Sequence, residues 1–323
     1  MRQAETLNPP AKARLGKLDA LRGIALIAMA TYHTAWDFEF FGYLEPGTTG
    51  QGVWKLYARI IASTFLALVG FSLVLAHGRQ IRWRAFGIRL AQIIVAALAI
   101  TLVTAYITPD NFVFFGILHQ IAAASVLGLL FLRLPALIVA IAAAAVIAAP
   151  HYLISSFFDP PIFWWLGLSE ILIRSNDYVP IFPWFGAVLA GMTVAKIMQH
   201  FNALKLLAGN IAPAWLDRLL RFIGQHSLAF YLIHQPILIS CVFLISQLFP
   251  PAVATPQEVF GQACIQSCQN DNDKAFCQKF CECVIGQTET QGIFDDVFAG
   301  RRDQSDPQMQ EIAGICTQQN LPQ

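Results

Sequence analysis

The sequence predicts an all-α fold: a polytopic membrane helix bundle of about seven spans, with a small external, disulfide-rich helical tail. Three observations predict it. The 323 residues are 56% hydrophobic and only 13% charged, about half the charged share of a soluble domain. Apolar segments of about 20 residues, the length that crosses a hydrocarbon core, recur from residue 18 to residue 249. Six of the seven cysteines crowd into residues 264–316. Charge divides the chain the same way. Residues 250–323 carry a net −6 and the remainder a net +7, so two regions with different surroundings are expected. Three segments follow: a cytoplasmic N-terminal stretch over 1–17, a transmembrane domain over 18–249 and a cysteine-rich tail over 250–323.

Seven candidate spans cover 18–38, 53–76, 85–107, 112–132, 134–155, 179–198 and 222–249. The first has a basic start and small residues in "ALIAMA", as a signal peptide would. The comparable apolar runs that follow, and the charges at both of its ends, favour a retained helix. Between the fifth and sixth spans, "SSFFDPPIFWWLGLSEILIRSNDYVP" is broken by Pro160 and Pro161 and rich in Trp and Tyr. It reads as an interfacial or re-entrant segment rather than an eighth span. Between the sixth and seventh, "FNALKLLAGNIAPAWLDRLLRFIG" mixes leucine, tryptophan and basic residues. Either an amphipathic surface helix or an ordinary loop fits it.

Basic residues set the orientation, because Lys and Arg resist translocation. Arg2, Lys12, Arg14 and Lys17 precede the first span, and Arg79, Arg82, Arg84 and Arg89 follow the second. Arg133 follows the fourth, and Lys196, Lys205, Arg218 and Arg221 lie between the sixth and seventh. With alternating spans all fall on one face. The opposite loops are nearly free of basic residues. The expected topology is a bacterial inner-membrane protein with the N-terminus inside and the acidic tail in the periplasm.

The tail's cysteines fit an oxidising compartment. Cys264 and Cys268 are four apart, as are Cys277 and Cys281, so on helices each pair shares a face. An antiparallel hairpin would join Cys264 to Cys281 and Cys268 to Cys277, leaving Cys283 for Cys316, which is one of fifteen connectivities. A zinc site is the rival reading. No histidine follows His234 and no CxxC pair occurs, so no metal is predicted. Cys241, inside the seventh span, reads as a small apolar filler.

The first span carries the chemistry. Asp19 and Arg22 stand at one end, and His33, Trp36 and Asp37 at the other. Arg22 and His33, eleven residues apart, lie within about 20° of one face and about 16 Å apart along the axis. His33, Trp36 and Asp37 share a side. Ionisable residues at such depth are functional candidates, although an N-terminal acid and a snorkelling base account equally for Asp19 and Arg22. His119 and Gln120 lie in the outer third of the fourth span, and His151 ends the fifth. His33, His119 and His151 are therefore expected at one depth, around a shared polar cavity. His234 precedes Pro236, whose missing amide frees a carbonyl one turn earlier. His234 or Gln235 repairing that kink is the plainer reading. His226 reads as a cap on the seventh span, and His77 and His200 carry no signal.

A histidine beside a carboxylate accepts a proton from a hydroxyl or amine. Asp37 would hold the His33 tautomer, and His119 would hydrogen-bond a developing oxyanion. Alternatively a histidine is acylated first. There is no GxSxG, P-loop, HExxH or GxGxxG context.

"LDALRGIALIAMATYH" resembles the opening motif of integral-membrane acyltransferases. With "FFGILHQIA", "VPIFPWFGAVLAGM" and "LRFIGQHSLAFYLIHQPIL" it is similar to bacterial relatives of heparan-alpha-glucosaminide N-acetyltransferase, and more broadly to the acyltransferase-3 group. The resemblance covers about residues 15–245 and leaves out the tail. It implies transfer of an acetyl or acyl group from acyl-CoA to a sugar or glycan across a membrane. His33 matches the motif's histidine and would be catalytic. Arg22 would serve donor binding or structure. Trp184 of "PWFG" and His234 would line the cavity, and Asp19, Trp36 and Gln120 complete the expected substrate-binding set. The glycine-rich stretch expected after the first apolar run is here "TYHTAWD". The implied partners are the bilayer and a glycan or sugar-lipid, with no nucleic acid. A proton-coupled transporter or flippase-like conduit is the competing class; the Ala-rich, nearly wholly apolar second, third and fifth spans offer it little. A scaffold presenting the cysteine tail is the third.

Overall fold

Helices supply the regular structure, and no strand occurs among the described residues. A computed structural model describes residues 15–251, 255–269 and 272–320. Arg2, Lys12 and Arg14, used above for orientation, lie outside the described residues. The chain divides into two units, residues 1–248 and residues 249–323.

The first unit holds α1 (Gly16–Phe40), α2 (Gly52–His77), α3 (Trp83–Ile107), α4 (Ile117–Gly128), α5 (Ala136–Ala148), α6 (Pro150–Leu153), α7 (Ile181–His200), α8 (Ala214–Gln225) and α9 (Ser227–Leu248). Among the described residues, α2, α3, α7 and α9 are long and apolar enough to cross a membrane. Together with the shorter apolar helices they indicate a multi-pass membrane protein. α1 has the length, 25 residues, but its polar ends lower its hydropathy. The fourth and fifth predicted spans are shorter than expected. α5 has 13 residues, about 20 Å against a hydrocarbon core of about 30 Å, because Pro135 and Pro150 bound it. α4 starts at Ile117 rather than 112, because the half-buried Asp177 carboxylate accepts the Ile117 amide (2.8 Å) and caps the helix there. The seventh span starts at Ser227, and the preceding residues belong to α8.

Two reciprocal glycine crossings hold the helices close. A β-carbon on Gly70 of α2 would stand 1.9 Å from the Val188 carbonyl of α7, and one on Gly191 of α7 would stand 1.9 Å from the Ala67 carbonyl of α2. The same exchange joins α1 to α8: Gly23 abuts the Leu220 carbonyl and Gly224 the Asp19 carbonyl. Backbones that touch gain packing without a hydrophobic driving force, as membrane helices require. α8 is the helical alternative of the two read from the sequence. Its buried Asp217 pairs with Arg221 at 2.6 Å and accepts the Ile211 amide at 3.0 Å. Around α2, α5 and α7 lies the main core, with Leu66, Val139, Val188, Leu189 and Met192 fully buried.

The aromatic stretch before α7 forms only 3-10 turns, Ser156–Phe158 and Pro161–Leu166. It holds its shape through polar contacts. Asp159 accepts from the Ser169 hydroxyl (2.7 Å) and the Glu170 amide (2.9 Å), and the Tyr178 hydroxyl donates to the Trp164 carbonyl (2.7 Å). These bonds hold the Asp159 carboxyl below its ordinary range, the Ser169 hydroxyl contributing most. Asp177 goes the other way. Burial raises its carboxyl, and the Ile117 amide offsets part of that.

The second unit holds α10 (Pro256–Cys268), α11 (Lys274–Thr290), α12 (Phe294–Phe298) and α13 (Pro307–Asn320). Thr255 and Glu258 form a capping box on α10, and Asp273 caps α11. Disulfides join Cys264 to Cys281, Cys268 to Cys277 and Cys283 to Cys316. The first two tie α10 to α11 and the third ties α13 to α11, around buried Val284, Ile293 and Ile312. Cys241 is exposed on α9 and is not a core filler.

Candidate functional site

α1 builds a polar site at each of its ends. Near its start, Arg22 donates to Asp19 at 2.8 Å and to the Ser72 hydroxyl of α2 at 2.5 Å, and Gln225 donates to Asp19 at 3.3 Å. These residues line a cavity of about 390 Å³ whose wall also includes His77, Arg82, Arg89 and Ser125. Arg22, Arg82 and Arg89 stand together in this wall beside apolar residues, a donor set whose chemistry suits phosphate. His77 accepts the Arg82 amide at 3.2 Å. Ser72, His77 and Gln225 were invisible as site residues in the sequence, because each sits at a helix end with no pattern around it. Asp19 and Arg22 were the members of this wall that the sequence singled out, and Arg82 and Arg89 entered it only as orientation signals.

Near the other end of α1, two imidazoles meet. The ring of half-buried His33 lies 5.1 Å from that of buried His234 on α9, at 61°. His234 Nδ1 donates to the carbonyls of Tyr231 (2.7 Å) and Phe230 (3.2 Å). A carbonyl only accepts, so Nδ1 carries the proton and Nε2 presents a lone pair. One residue on, Gln235 donates to Asp37 Oδ1 at 2.7 Å. Asp37 is fully buried. Its Oδ2, His234 Nε2 and Gln235 Oε1 are buried with no hydrogen-bond partner among the described residues. A buried polar atom left unpaired costs about 1–3 kcal/mol, so three on neighbouring residues make this a candidate site.

Two expectations change here. No hydrogen bond joins His33 to Asp37: the carboxylate takes the amide donor that α9 supplies, and what faces His33 is His234. Nor does His234 or Gln235 repair the Pro236 kink. That proline frees the Leu232 carbonyl, whereas the His234 bonds go to residues 230 and 231 and the Gln235 amide reaches across to α1.

Other predicted residues stand elsewhere. Both ring nitrogens of His119 are engaged: Nδ1 accepts the Gly116 amide (3.2 Å) and Nε2 bonds the Thr101 hydroxyl (3.2 Å). Its ring completes the cap of α4, and no contact brings it to His33. Gln120 is fully buried with both amide atoms unpartnered. Trp36 stacks on Phe40 at 5.3 Å, Trp184 packs against the main core, and His151 is exposed. His226 bonds the Phe222 carbonyl at 2.8 Å, closing α8, and its own carbonyl accepts the Phe230 amide at 3.0 Å at the start of α9. Tyr32 also borders the site. Its ring lies 5.8 Å from His33, and its hydroxyl donates to the Thr49 carbonyl at 3.3 Å. That carbonyl belongs to a loop that Glu39 pins through Gly47 and Thr49.

A histidine pair shared by α1 and α9, with the other end of α1 lining a basic cavity, is an arrangement whose chemistry suits group transfer. No curated protein and no solved structure matches the chain. The family model described as heparan-alpha-glucosaminide N-acetyltransferase, catalytic, matches residues 14–236. That match covers well over half of the sequence and takes in both ends of α1 and the His234 turn, so the chain belongs to the heparan-alpha-glucosaminide N-acetyltransferase catalytic family, a family of membrane N-acetyltransferases.

Proposed function

We propose that this protein transfers an acetyl or other acyl group from acyl-CoA to a sugar or glycan hydroxyl or amine, with His33 as general base. Family membership supports the reaction class. The single observation that carries the site is the half-buried His33 imidazole facing His234, on the helix whose other end lines the Arg22 cavity.

The donor's phosphates bind at Arg22, Arg82 and Arg89, and its acyl arm runs along α1. The span from Arg22 to His33 is about 16 Å, of the order of an extended acyl-pantetheine arm. The acceptor approaches from the opposite end. His33 takes the acceptor's proton as its nitrogen or oxygen adds to the thioester carbonyl. The tetrahedral adduct collapses, the C–S bond breaks, and the imidazolium returns the proton to the CoA thiolate. His119 has no part in this route, since the Gly116 amide and the Thr101 hydroxyl occupy both of its nitrogens. Loop arginines on the Arg22 side support a cytoplasmic position for that side in a bacterial inner membrane, and the disulfides support a periplasmic tail.

The test uses purified protein reconstituted in vesicles with radiolabelled acetyl-CoA and a panel of amino sugars and sugar alcohols. His33→Ala is expected to lower transfer by about 100-fold or more while its thermal unfolding stays that of the wild type. Undiminished transfer would remove His33 from the mechanism.

A further inference from the structure

We propose that His234 is the positioning residue of His33: its Nε2 lone pair receives the His33 N–H, so that the other nitrogen of His33 faces the acceptor. This rests on acyl transfer with His33 as base. The role is the one the sequence assigned to Asp37, which the structure commits to Gln235 instead.

Four observations converge on it. His234 is locked in one tautomer by two backbone carbonyls. Its remaining nitrogen is buried and has no partner. The ring that faces it from another helix is His33, 5.1 Å away between centroids, while Tyr231 of its own helix lies 5.7 Å away. Phe230 stacks on His234 at 5.8 Å and 6°, and restrains the ring plane. Centroids 5.1 Å apart leave room for one N–H···N bond between the two rings. The imidazolium formed when His33 takes the acceptor proton then donates to a neutral imidazole rather than to a carboxylate. No proton passes to His234 in the step. The proton goes from acceptor to His33 to the departing thiolate.

Two substitutions separate this role from a merely structural one. In His234→Asn the amide nitrogen stands near the place of Nδ1, so the bond to the Tyr231 carbonyl survives while the acceptor at Nε2 is lost. In His234→Gln the terminal amide reaches the place of Nε2, where its oxygen can accept, while the Tyr231 bond is lost. Positioning of His33 predicts that Gln outperforms Asn: kcat for acetyl-CoA-dependent acetylation of the same acceptor panel falls about 100-fold in Asn and less than tenfold in Gln. KM for acetyl-CoA stays within about threefold in both. A structural role predicts the reverse order, with Asn close to wild type, and that order overturns the proposal. The two failures are distinguishable. A wild-type protein that releases no CoA with any acceptor retires acyl transfer and this role together. An active wild type with Asn equal to or better than Gln retires the pairing alone.

Discussion

The two ends of α1 are built from similar residues and treat them oppositely. At the Arg22 end the polar groups are paired: the guanidinium bonds Asp19 and Ser72, and Asp19 also bonds Gln225. The result is a charged, lined cavity that is stable before anything binds. At the His33 end, Asp37, His234 and Gln235 each keep one buried polar atom open. Paired charge holds a ligand; open polarity is costly and is retained where chemistry uses it. On the proposed route, donor binding and chemistry are separated by about 16 Å along one helix.

That separation can be broken or sharpened in order of expected effect. The largest is the loss of kcat in His33→Ala, which should leave KM for acetyl-CoA within about threefold. Substitution of Cys264 and Cys281 by serine tests the tail, where the sulfurs are satisfied covalently. The first bridge spans 17 residues, and its loss is expected to cost the tail about 3 kcal/mol, read by limited proteolysis. Unchanged protection would show that the helices, not the bridge, hold the tail. Arg22→Gln should invert the His33→Ala pattern, raising KM for acetyl-CoA about tenfold or more with kcat nearly kept. A fall in kcat alone would merge the two ends into one site.

The smallest effect is that of Asp177→Asn. Asparagine keeps an oxygen for the Ile117 amide and removes a buried charge. Burial raises the folded-state carboxyl above its ordinary value, so folding favours the protonated form. Its contribution to stability is greatest at low pH and is lost as pH rises from the ordinary carboxylate range through the folded value. Asparagine should therefore gain on aspartate as pH rises from 4 to 8 in thermal unfolding. A gap between the two that stays constant over that range would place the carboxylate in water.

Much of this was legible in the sequence, for identifiable reasons. Apolar run length revealed α2, α3, α7 and α9, and i, i+4 cysteine spacing revealed the α10–α11 hairpin. The eleven-residue interval of Arg22 and His33 revealed a two-ended helix. What stayed hidden depends on contacts between helices. Asp37 and His33 share a face of α1, yet Gln235, 198 residues away, decides where the carboxylate bonds. His119 looked like a membrane-depth base, and only the fold shows Thr101 and Gly116 occupying both of its nitrogens. Asp177 gave no signal because a cap on α4 from 60 residues downstream has no local pattern.

The central claim is that donor binding and chemistry occupy opposite ends of α1, with the Arg22 end cytoplasmic. Radiolabelled acetyl-CoA supplied to inverted and to right-side-out membrane vesicles tests it most directly. Label should reach acceptor only in inverted vesicles, where the Arg22 end faces the added donor. Equal labelling from both sides, or labelling from the right-side-out face alone, would contradict the account.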